Sequence, residues 1–156
     1  MKGNQKVVDC LNSLLENELG SIDQYLTHSR MYEDWGLNKL YIQLDHELGE
    51  EQIHADLLIK RILFLEGETD LNNRTQANVG TDVQSIMAND LGLEMKCVAD
   101  LRAGIELCEQ EQDYESRAIL QKLLSDTESD HVFWLEKQIW LIKNMGISNY
   151  IQSQMG

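Results

Sequence analysis

The sequence predicts an all-α protein: a four-helix bundle with one long crossover connection and a short fifth helix at the C-terminus. The chain contains no proline. Its apolar residues recur at spacings of three and four, as on one helix face, rather than alternating as in a strand. One long polar stretch, residues 66–81, separates the helical segments. A length of 156 residues suits one domain, residues 1–156, with a substantial core.

The elements follow from these patterns in chain order. Four long segments with helical periodicity precede a short one, and their predicted bounds are Lys6–Asp34, Leu37–Leu65, Asp82–Glu109, Tyr114–Met145 and 147–156. Thr81 or Asp82 can cap the third helix, and Gly146 stops the fourth. Short connections join antiparallel neighbours. The segment 66–81 is long enough to cross the bundle, which makes the second and third helices parallel.

Composition excludes several classes of protein. The formal net charge of −14 argues against binding nucleic acid through its phosphates. There is no apolar run of roughly 18 residues, so no spanning helix is predicted, and the N-terminal residues lack the features of a signal peptide. The scattered cysteines Cys10, Cys97 and Cys108 form no CxxC motif and suit free thiols in a reducing compartment. We therefore expect a cytoplasmic protein with no nucleic-acid or membrane partner.

Acidic residues interrupt the apolar stripe of every long helix. The first and third helices each carry one glutamate there, whereas the second and fourth carry a Glu-x-x-His pair. Residues three apart share one helix face, so each such pair points into the core. The interrupting residues are Glu18, Glu51, His54, Glu94, Glu128 and His131.

The two acids of each antiparallel helix pair are also expected to lie at the same depth along the bundle. Residues equidistant from a short turn lie at the same level of an antiparallel helix pair. Glu18 and Glu51 are equidistant from the first short turn, and Glu94 and Glu128 from the second. Each helix pair is therefore expected to bring its two acids together.

Buried in this way, four carboxylates would repel one another and would tend to protonate unless cations neutralised them. Four carboxylates with two imidazoles are the ligand set of a two-metal site on a helical bundle. Oxygen-rich ligation with one imidazole per metal favours iron or manganese over a metal that prefers thiolates. One Glu-x-x-His is common on a solvated helix face, but two with matching acids make a specific pattern.

Four other polar residues lie near the apolar stripes. Tyr25 lies two turns from Glu18 on the same stripe; as a candidate catalytic residue it would hydrogen-bond a ligand carboxylate or donate an electron, and a plain core tyrosine is the alternative. Asp90 is a candidate for orienting a ligand histidine. We expect His28 at the surface or at an interface, and we leave Glu47 outside the ligand set because the other helix pair has no counterpart to it.

Five stretches carry a resemblance to a known family: MKGNQKVVDCLNSLLENEL, QYLTHSRMYEDWGL, RILFLEG, DYESR and HVFWLE. With the ligand pattern, they make the sequence similar to the bacterioferritin family over nearly the whole chain. The resemblance implies a hollow shell of twenty-four subunits that oxidises ferrous iron and stores ferric mineral inside. It also implies that the residues interrupting the apolar stripes are the ligands of a di-iron centre, namely Glu18, Glu51, His54, Glu94, Glu128 and His131.

The sequence departs from the family pattern at three points. The stretch SDTESDH is one residue longer than the commoner version and shifts the last Glu–His pair by one. An inner-surface iron site of the family pairs a histidine with an aspartate; His46 matches the histidine, and Glu50 stands at the aspartate position. The methionine by which two subunits share a haem is replaced by Gln52, a poor axial ligand, which implies a subunit without haem or a mixed shell with a haem-binding subunit.

The resulting expectation is a ferroxidase: Fe(II) binds, O2 or H2O2 accepts its electrons, and Fe(III) passes to the cavity. The implied partners are further copies of this chain, alone or together with a haem-binding bacterioferritin subunit, and a ferredoxin as reductant. Three alternatives stay open. A di-iron peroxidase resembling rubrerythrin would usually bring a CxxC iron domain, which is absent; a di-manganese catalase shares the ligand chemistry; and a purely structural subunit would not oxidise iron.

Overall fold

The computed structural model describes residues 1–156 as six α-helices and one π-helical turn, without strands. The helices are α1 (Gln5–Asp34), α2 (Asn38–Phe64), α3 (Val83–Gln110), α4 (Tyr114–Asp126), α5 (Phe133–Met145) and α6 (Ile147–Gln154), and the π-helical turn covers Thr127–Val132. The prediction of an all-α bundle is confirmed, and the predicted helix ends agree to within one or two residues. None of the helices combines the length and apolar character needed to span a bilayer.

Local sequence sets the helix ends. Asn4 caps α1 by accepting a hydrogen bond from the backbone N–H of Lys6 at 2.8 Å. Asp82 caps α3, accepting from the backbone N–H of Ser85 at 2.7 Å. Such caps satisfy N–H groups that have no partner within the helix. Gly146, at the same end of the bundle as Asp82, has φ of 79°, a left-handed conformation that glycine adopts without strain, and it separates α5 from α6.

The apolar core is divided into two clusters along the bundle axis. One gathers 14 buried residues from the N-terminal part of α1, the C-terminal parts of α2 and α3, and α4. The other gathers 11 buried residues from the C-terminal part of α1, the N-terminal parts of α2 and α3, α5 and α6. The middle of each long helix, which lies between these clusters, carries the acidic and histidine residues singled out above.

The crossover segment, residues 65–82, is held along α1 by a series of hydrogen bonds. The backbone N–H of Thr75 donates to the Glu16 carbonyl at 3.0 Å, and Arg74 pairs with Asp23 at 2.8 Å. Gly20 permits this approach, because a Cβ atom built there would lie 2.5 Å from the Thr75 carbonyl oxygen. The crossover is therefore fixed in place by side chains and backbone of α1.

A buried histidine anchors the end of this crossover. His28 is 0% exposed, so the expectation of a surface or interface histidine is wrong: the crossover covers it. The backbone N–H of Gly80 donates to His28 Nε2 at 2.9 Å, so Nδ1 carries the proton and donates to Asp90 at 2.8 Å. Asp90 also accepts from Gln24 at 2.8 Å. Asp90 thus orients His28 and not a histidine of the candidate metal centre.

The predicted fourth helix is not α-helical throughout. It widens into the π-helical turn at Thr127–Val132, which overlaps the stretch SDTESDH. A π-helix closes i→i+5 hydrogen bonds, so its turn takes in about one residue more than an α-helical turn. The backbone keeps helical φ and ψ at both ends of this turn, so α4 leads into α5 without a break. The side chain of Thr127 faces the interior, whereas Glu128 faces outward.

Candidate metal centre

Five of the six predicted ligands meet in one buried layer between the two apolar clusters. None of their side chains is more than about 3% exposed. The helices α1, α2 and α3 and the π-helical turn each contribute at least one of them. The residues that come together are Glu18, Glu51, His54, Glu94 and His131.

The first group of donors consists of Glu18, Glu51 and His54. His54 Nδ1 lies 3.7 Å from Glu18 Oε2 and 3.7 Å from Glu51 Oε2, too far for a hydrogen bond. Although both are buried, Glu18 Oε2 and His54 Nδ1 have no hydrogen-bond partner, which is normally costly. Donor atoms that bind one metal at about 2.0–2.2 Å stand about 3–4 Å apart. These atoms therefore fit a single cation.

The second group consists of Glu51, Glu94 and His131. His131 Nδ1 lies 2.9 Å from Glu51 Oε1 and 3.2 Å from Glu94 Oε1. Glu51 belongs to both groups through different oxygen atoms, so its carboxylate is placed to bridge two metal positions. The Tyr25 hydroxyl donates to Glu94 Oε1 at 2.5 Å, which fixes the orientation of that carboxylate.

A third group lies on the other side of the His131 ring. His131 Nε2 is 2.6 Å from Glu47 and 2.8 Å from Glu50, and Glu50 also lies 3.2 Å from His46. These acids border a cavity of about 320 Å³ that is also lined by Asp130. His46 and Glu50 are thus adjacent, as the resemblance implies. Glu47, which we left outside the ligand set, lies one turn before Glu51 on the buried stripe of α2 and contacts His131.

Glu128 is not brought to this centre. Its carboxylate accepts a hydrogen bond from Arg102 at 2.6 Å, and its side chain is 41% exposed. The expectation that Glu94 and Glu128 lie side by side is not met, because the π-helical turn rotates Glu128 outward. Thr127, which is 1% exposed, occupies the inward position one turn before His131.

Asp126 is a further contributor that sequence reasoning did not identify. Its carboxylate lies 3.1 Å from His54 Nε2 and 3.0 Å from the Lys122 ammonium. A proton held on Nε2 by Asp126 leaves Nδ1 free to bind a metal, which is the usual way that an acid orients a ligand histidine. Gln52 is exposed and adjoins Glu51, so on the helix it points about 100° away from the centre.

The histidines carry positive charge in the absence of metal. Burial opposes the charge on His54, but the nearby carboxylates of Glu18 and Glu51 raise its pKa to about 10. The pKa of His131 is also raised, because hydrogen bonds to Glu47, Glu51 and Glu94 outweigh its burial. Both imidazolium groups therefore neutralise acids that metal ions would otherwise neutralise.

The surroundings shift the pKa values of the buried carboxyl groups in opposite directions. Burial, and then the charge of Glu51, raises the pKa of Glu18 well above its ordinary value and raises the pKa of Glu94. Burial acts to raise the pKa of Glu51, but the Glu18 carboxyl group and the two neighbouring histidines lower it. Burial followed by the charge of Glu94 raises the pKa of Tyr25 far enough to keep its hydroxyl protonated. The buried acids therefore do not all favour the charged form while the centre is empty.

A helical bundle with one long crossover and a buried layer of glutamates and histidines defines the class of di-metal carboxylate proteins. A model of the ferritin-like domain family matches residues 8–145. A bacterial ferritin of Synechocystis sp. is 52% identical over 155 residues, 99% of each chain. A bacterial ferritin of Pseudomonas aeruginosa is 52% identical over 155 residues, which is 99% of this chain and 100% of that one.

A bacterioferritin of Brucella melitensis is 37% identical over 152 residues, which covers 97% of this chain and 94% of the relative. These matches extend over almost the whole sequence, at identities well above those that chance similarity gives. The chain belongs to the bacterioferritin family of ferritin-like proteins. The resemblance carried by the sequence motifs is confirmed.

Proposed function

We propose that this protein stores and detoxifies iron by oxidising Fe(II) at the buried centre and depositing ferric mineral inside a shell of twenty-four copies. The observation that carries the proposal is the pair of buried, unpartnered donor atoms, Glu18 Oε2 and His54 Nδ1, beside the shared carboxylate of Glu51. Iron bound there supplies the electrons that O2 or H2O2 accepts. The family match favours storage over the di-manganese or peroxidase alternatives.

Each side chain has a definite task in this proposal. Glu18 and His54 hold one Fe(II), Glu94 and His131 hold the other, and Glu51 spans the two. Asp126 keeps the proton of His54 on Nε2, so that Nδ1 presents its lone pair. A metal ion can bind only after Nδ1 of each histidine has lost its proton.

The third group, in which Glu47 and Glu50 contact His131, provides a route for protons and iron between the centre and the cavity. His131 contacts Glu47 and Glu50 through Nε2 and the centre through Nδ1. We infer that a proton leaving His131 passes to these acids. A cavity rimmed by carboxylates also attracts cations, so we infer that iron enters and leaves here, with His46 and Glu50 as a transient inner-surface site.

Exposed apolar side chains support assembly. Ile42, Phe64 and Trp140 are each more than half exposed, and we infer that neighbouring subunits of the shell cover some of these side chains. The α6 helix has only eight residues, too few to be stable alone. We place it, anchored by buried Tyr150, at subunit contacts.

The proposed setting is the cytoplasm, where the three cysteines remain thiols. Because Gln52 cannot replace a thioether ligand, a shell made only of this chain is expected to hold no haem. Haem would enter through co-assembly with a haem-binding bacterioferritin subunit. A ferredoxin is a candidate reductant for iron release.

The test replaces a ligand and measures iron oxidation. Glu18→Ala and Glu94→Ala should fold and assemble but lose rapid Fe(II) oxidation, followed by the absorbance of the Fe(III) product. Glu106→Ala, an exposed acid on the same helix as Glu94, is the control and should behave as wild type. Wild-type rates in both ligand variants would refute the assigned centre. Manganese in the purified protein, with rapid peroxide breakdown, would favour the catalase-like alternative.

A further inference from the structure

The helices α1 and α3 run in opposite directions and pack with a regular register. Ser21 contacts Cys97 at 4.0 Å, and a Cβ atom built at Gly104 would lie 3.2 Å from Leu14 Cδ1. Between these two contacts the chain moves back by seven residues on α1 and forward by seven on α3. Seven residues make about two helical turns, so the same faces of the two helices stay together from one contact to the next.

This register brings Cys10 and Cys108 to the same level of the two helices. Cys10 lies one turn before Leu14, and Cys108 lies one turn after Gly104. Cys10 Sγ is 3.2 Å from the position that a Cβ atom of Gly104 would take, so the glycine allows a close approach. Cys108 belongs to the apolar cluster of this end of the bundle, and Cys10 packs against that cluster. The two thiols are therefore neighbours across the contact between α1 and α3.

The cysteines differ in their access to solvent. Cys10 is half-buried and borders a cavity of about 240 Å³ that is also lined by Ser13 and Asp100. Cys108 is 0% exposed, and Cys97 is 3% exposed. A small oxidant that enters the cavity therefore meets Cys10 first.

We propose that Cys10 and Cys108 form a peroxide-responsive thiol pair, in which Cys10 is oxidised first and Cys108 then closes a disulfide between α1 and α3. The Cys10 thiolate attacks one oxygen of H2O2, the O–O bond breaks, and a sulfenic acid forms. The hydroxide that leaves takes up the proton of the Cys10 thiol and becomes water. Cys108 Sγ then attacks Cys10 Sγ, the S–O bond breaks, and a second water leaves with the Cys108 proton. One H2O2 thus accepts two electrons from two thiols and yields one disulfide and two waters.

The surroundings make the pair slow to oxidise. Burial, followed by the charge of Asp100, raises the pKa of Cys10. Burial, followed by the charge of Cys10, raises the pKa of Cys108 to about 12. Because the thiolate is the reactive form, oxidation should accelerate about tenfold per pH unit below the pKa of Cys10. Both groups therefore rest as thiols in a reducing compartment and react when peroxide accumulates.

The pair lies apart from the proposed metal centre and does not depend on it. Cys10 is eight residues before Glu18, which is about 12 Å along the helix. A disulfide would join positions about 100 residues apart in the chain, and such a link restricts the unfolded chain and favours the folded one. The same reaction would thus consume an oxidant and stabilise the subunit.

Peptide mapping of the assembled, metal-free protein after treatment with a small molar excess of H2O2 and a chelator tests the pairing. Trypsin places the three cysteines in different peptides, residues 7–30, 97–102 and 103–117. Wild type should lose two of its three thiols per subunit and yield peptide 7–30 linked to peptide 103–117. The subunit should remain monomeric on a denaturing gel without reductant, and its thermal unfolding midpoint should rise. Dithiothreitol should reverse all of these changes.

Three single substitutions separate the roles of the cysteines. Cys97→Ser is the matched control and should give the same linked peptide as wild type. Cys108→Ser should stop at the sulfenic acid, which dimedone traps on peptide 7–30. Cys10→Ser should keep both of its remaining thiols under the same exposure, because Cys108 is fully buried.

Retention of all three thiols in wild type would overturn the assignment, as would oxidation of Cys108 in Cys10→Ser at the wild-type rate. A disulfide to peptide 97–102, or one between subunits, would show that the pairing is wrong. A linked peptide that survives Cys97→Ser and disappears in both other variants would support the proposed pair.

Discussion

Metal binding to the buried centre is expected to release protons, because its two histidines are protonated in the metal-free protein. A metal requires the lone pair of Nδ1 on His54 and on His131. The acids that surround these rings raise both pKa values, so at neutral pH each ring must lose a proton to bind a metal. Glu18, whose pKa is also raised, adds to the protons released.

The size of this effect follows from the pKa of His54, which is about 10. At pH 7 the proton is favoured by about three pH units, which corresponds to about 4 kcal/mol of competition against the metal. The association constant at this position should therefore rise about tenfold per pH unit from pH 7 to about pH 9. The sign is fixed: metal binds more tightly as pH rises, and the dependence ends once the pH exceeds the pKa of His54.

Calorimetric titration with Zn(II), which is redox-inactive, in two buffers of different ionisation enthalpy measures the protons released. About two or more protons per subunit are expected at pH 7 for two bound ions. His54→Ala should lower the count by about one and flatten the pH dependence of the affected position. Release of fewer than one proton per subunit, or affinity independent of pH between 7 and 9, would show that the histidines are neutral before metal arrives.

Four further outcomes are expected. Gly20→Ala should lower the free energy of unfolding by about 1–3 kcal/mol, because the new methyl group displaces the crossover. Gly92→Ala is the control: a Cβ atom there would have nothing within 4 Å, so the free energy of unfolding should rise by about 0.5–1 kcal/mol. Equal thermal unfolding midpoints in the two variants would contradict the close approach of the crossover to Gly20. Asp113→Ala should cost about 2–4 kcal/mol, since it removes the α4 cap and the partner of half-buried Arg61; chemical denaturation measures it. Metal-free stability should fall as pH rises from 6.5 to about 10, because the raised pKa of the buried histidine favours folding only while the ring is charged; a flat denaturation profile argues against this. Gln52→Met should take up added haem, seen as a Soret band, and a band in the unsubstituted homopolymer would reveal another ligand.

Helix periodicity was sufficient to predict most of the fold and of the centre. Glu18, Glu51, His54 and Glu94 lie on uninterrupted α-helices, so their spacing fixes the faces they occupy. His131 also falls where predicted, because the π-helical turn corrects the register before α5 begins. The sequence pattern is reliable wherever the helix remains regular.

The predictions that were wrong depend on departures from regular geometry or on non-local packing. Glu128 is turned outward because the helix widens into a π-helical turn at Thr127–Val132, and counting in steps of three assumes that no such widening occurs. His28 is buried by a crossover whose path is set by contacts with α1. Glu47, which we left outside the ligand set, contacts His131 on a different helix, and spacing along α2 alone does not show such a contact.

The positive charges of His54 and His131 also affect whether the subunit needs iron in order to fold. The two rings act as internal counter-ions that neutralise part of the charge of the buried acids without a metal. Under the proposed function, folding and assembly are thereby separated from the supply of iron. Under the proposed function, a cell short of iron can hold a reserve of empty shells that exchange protons for iron as soon as it arrives.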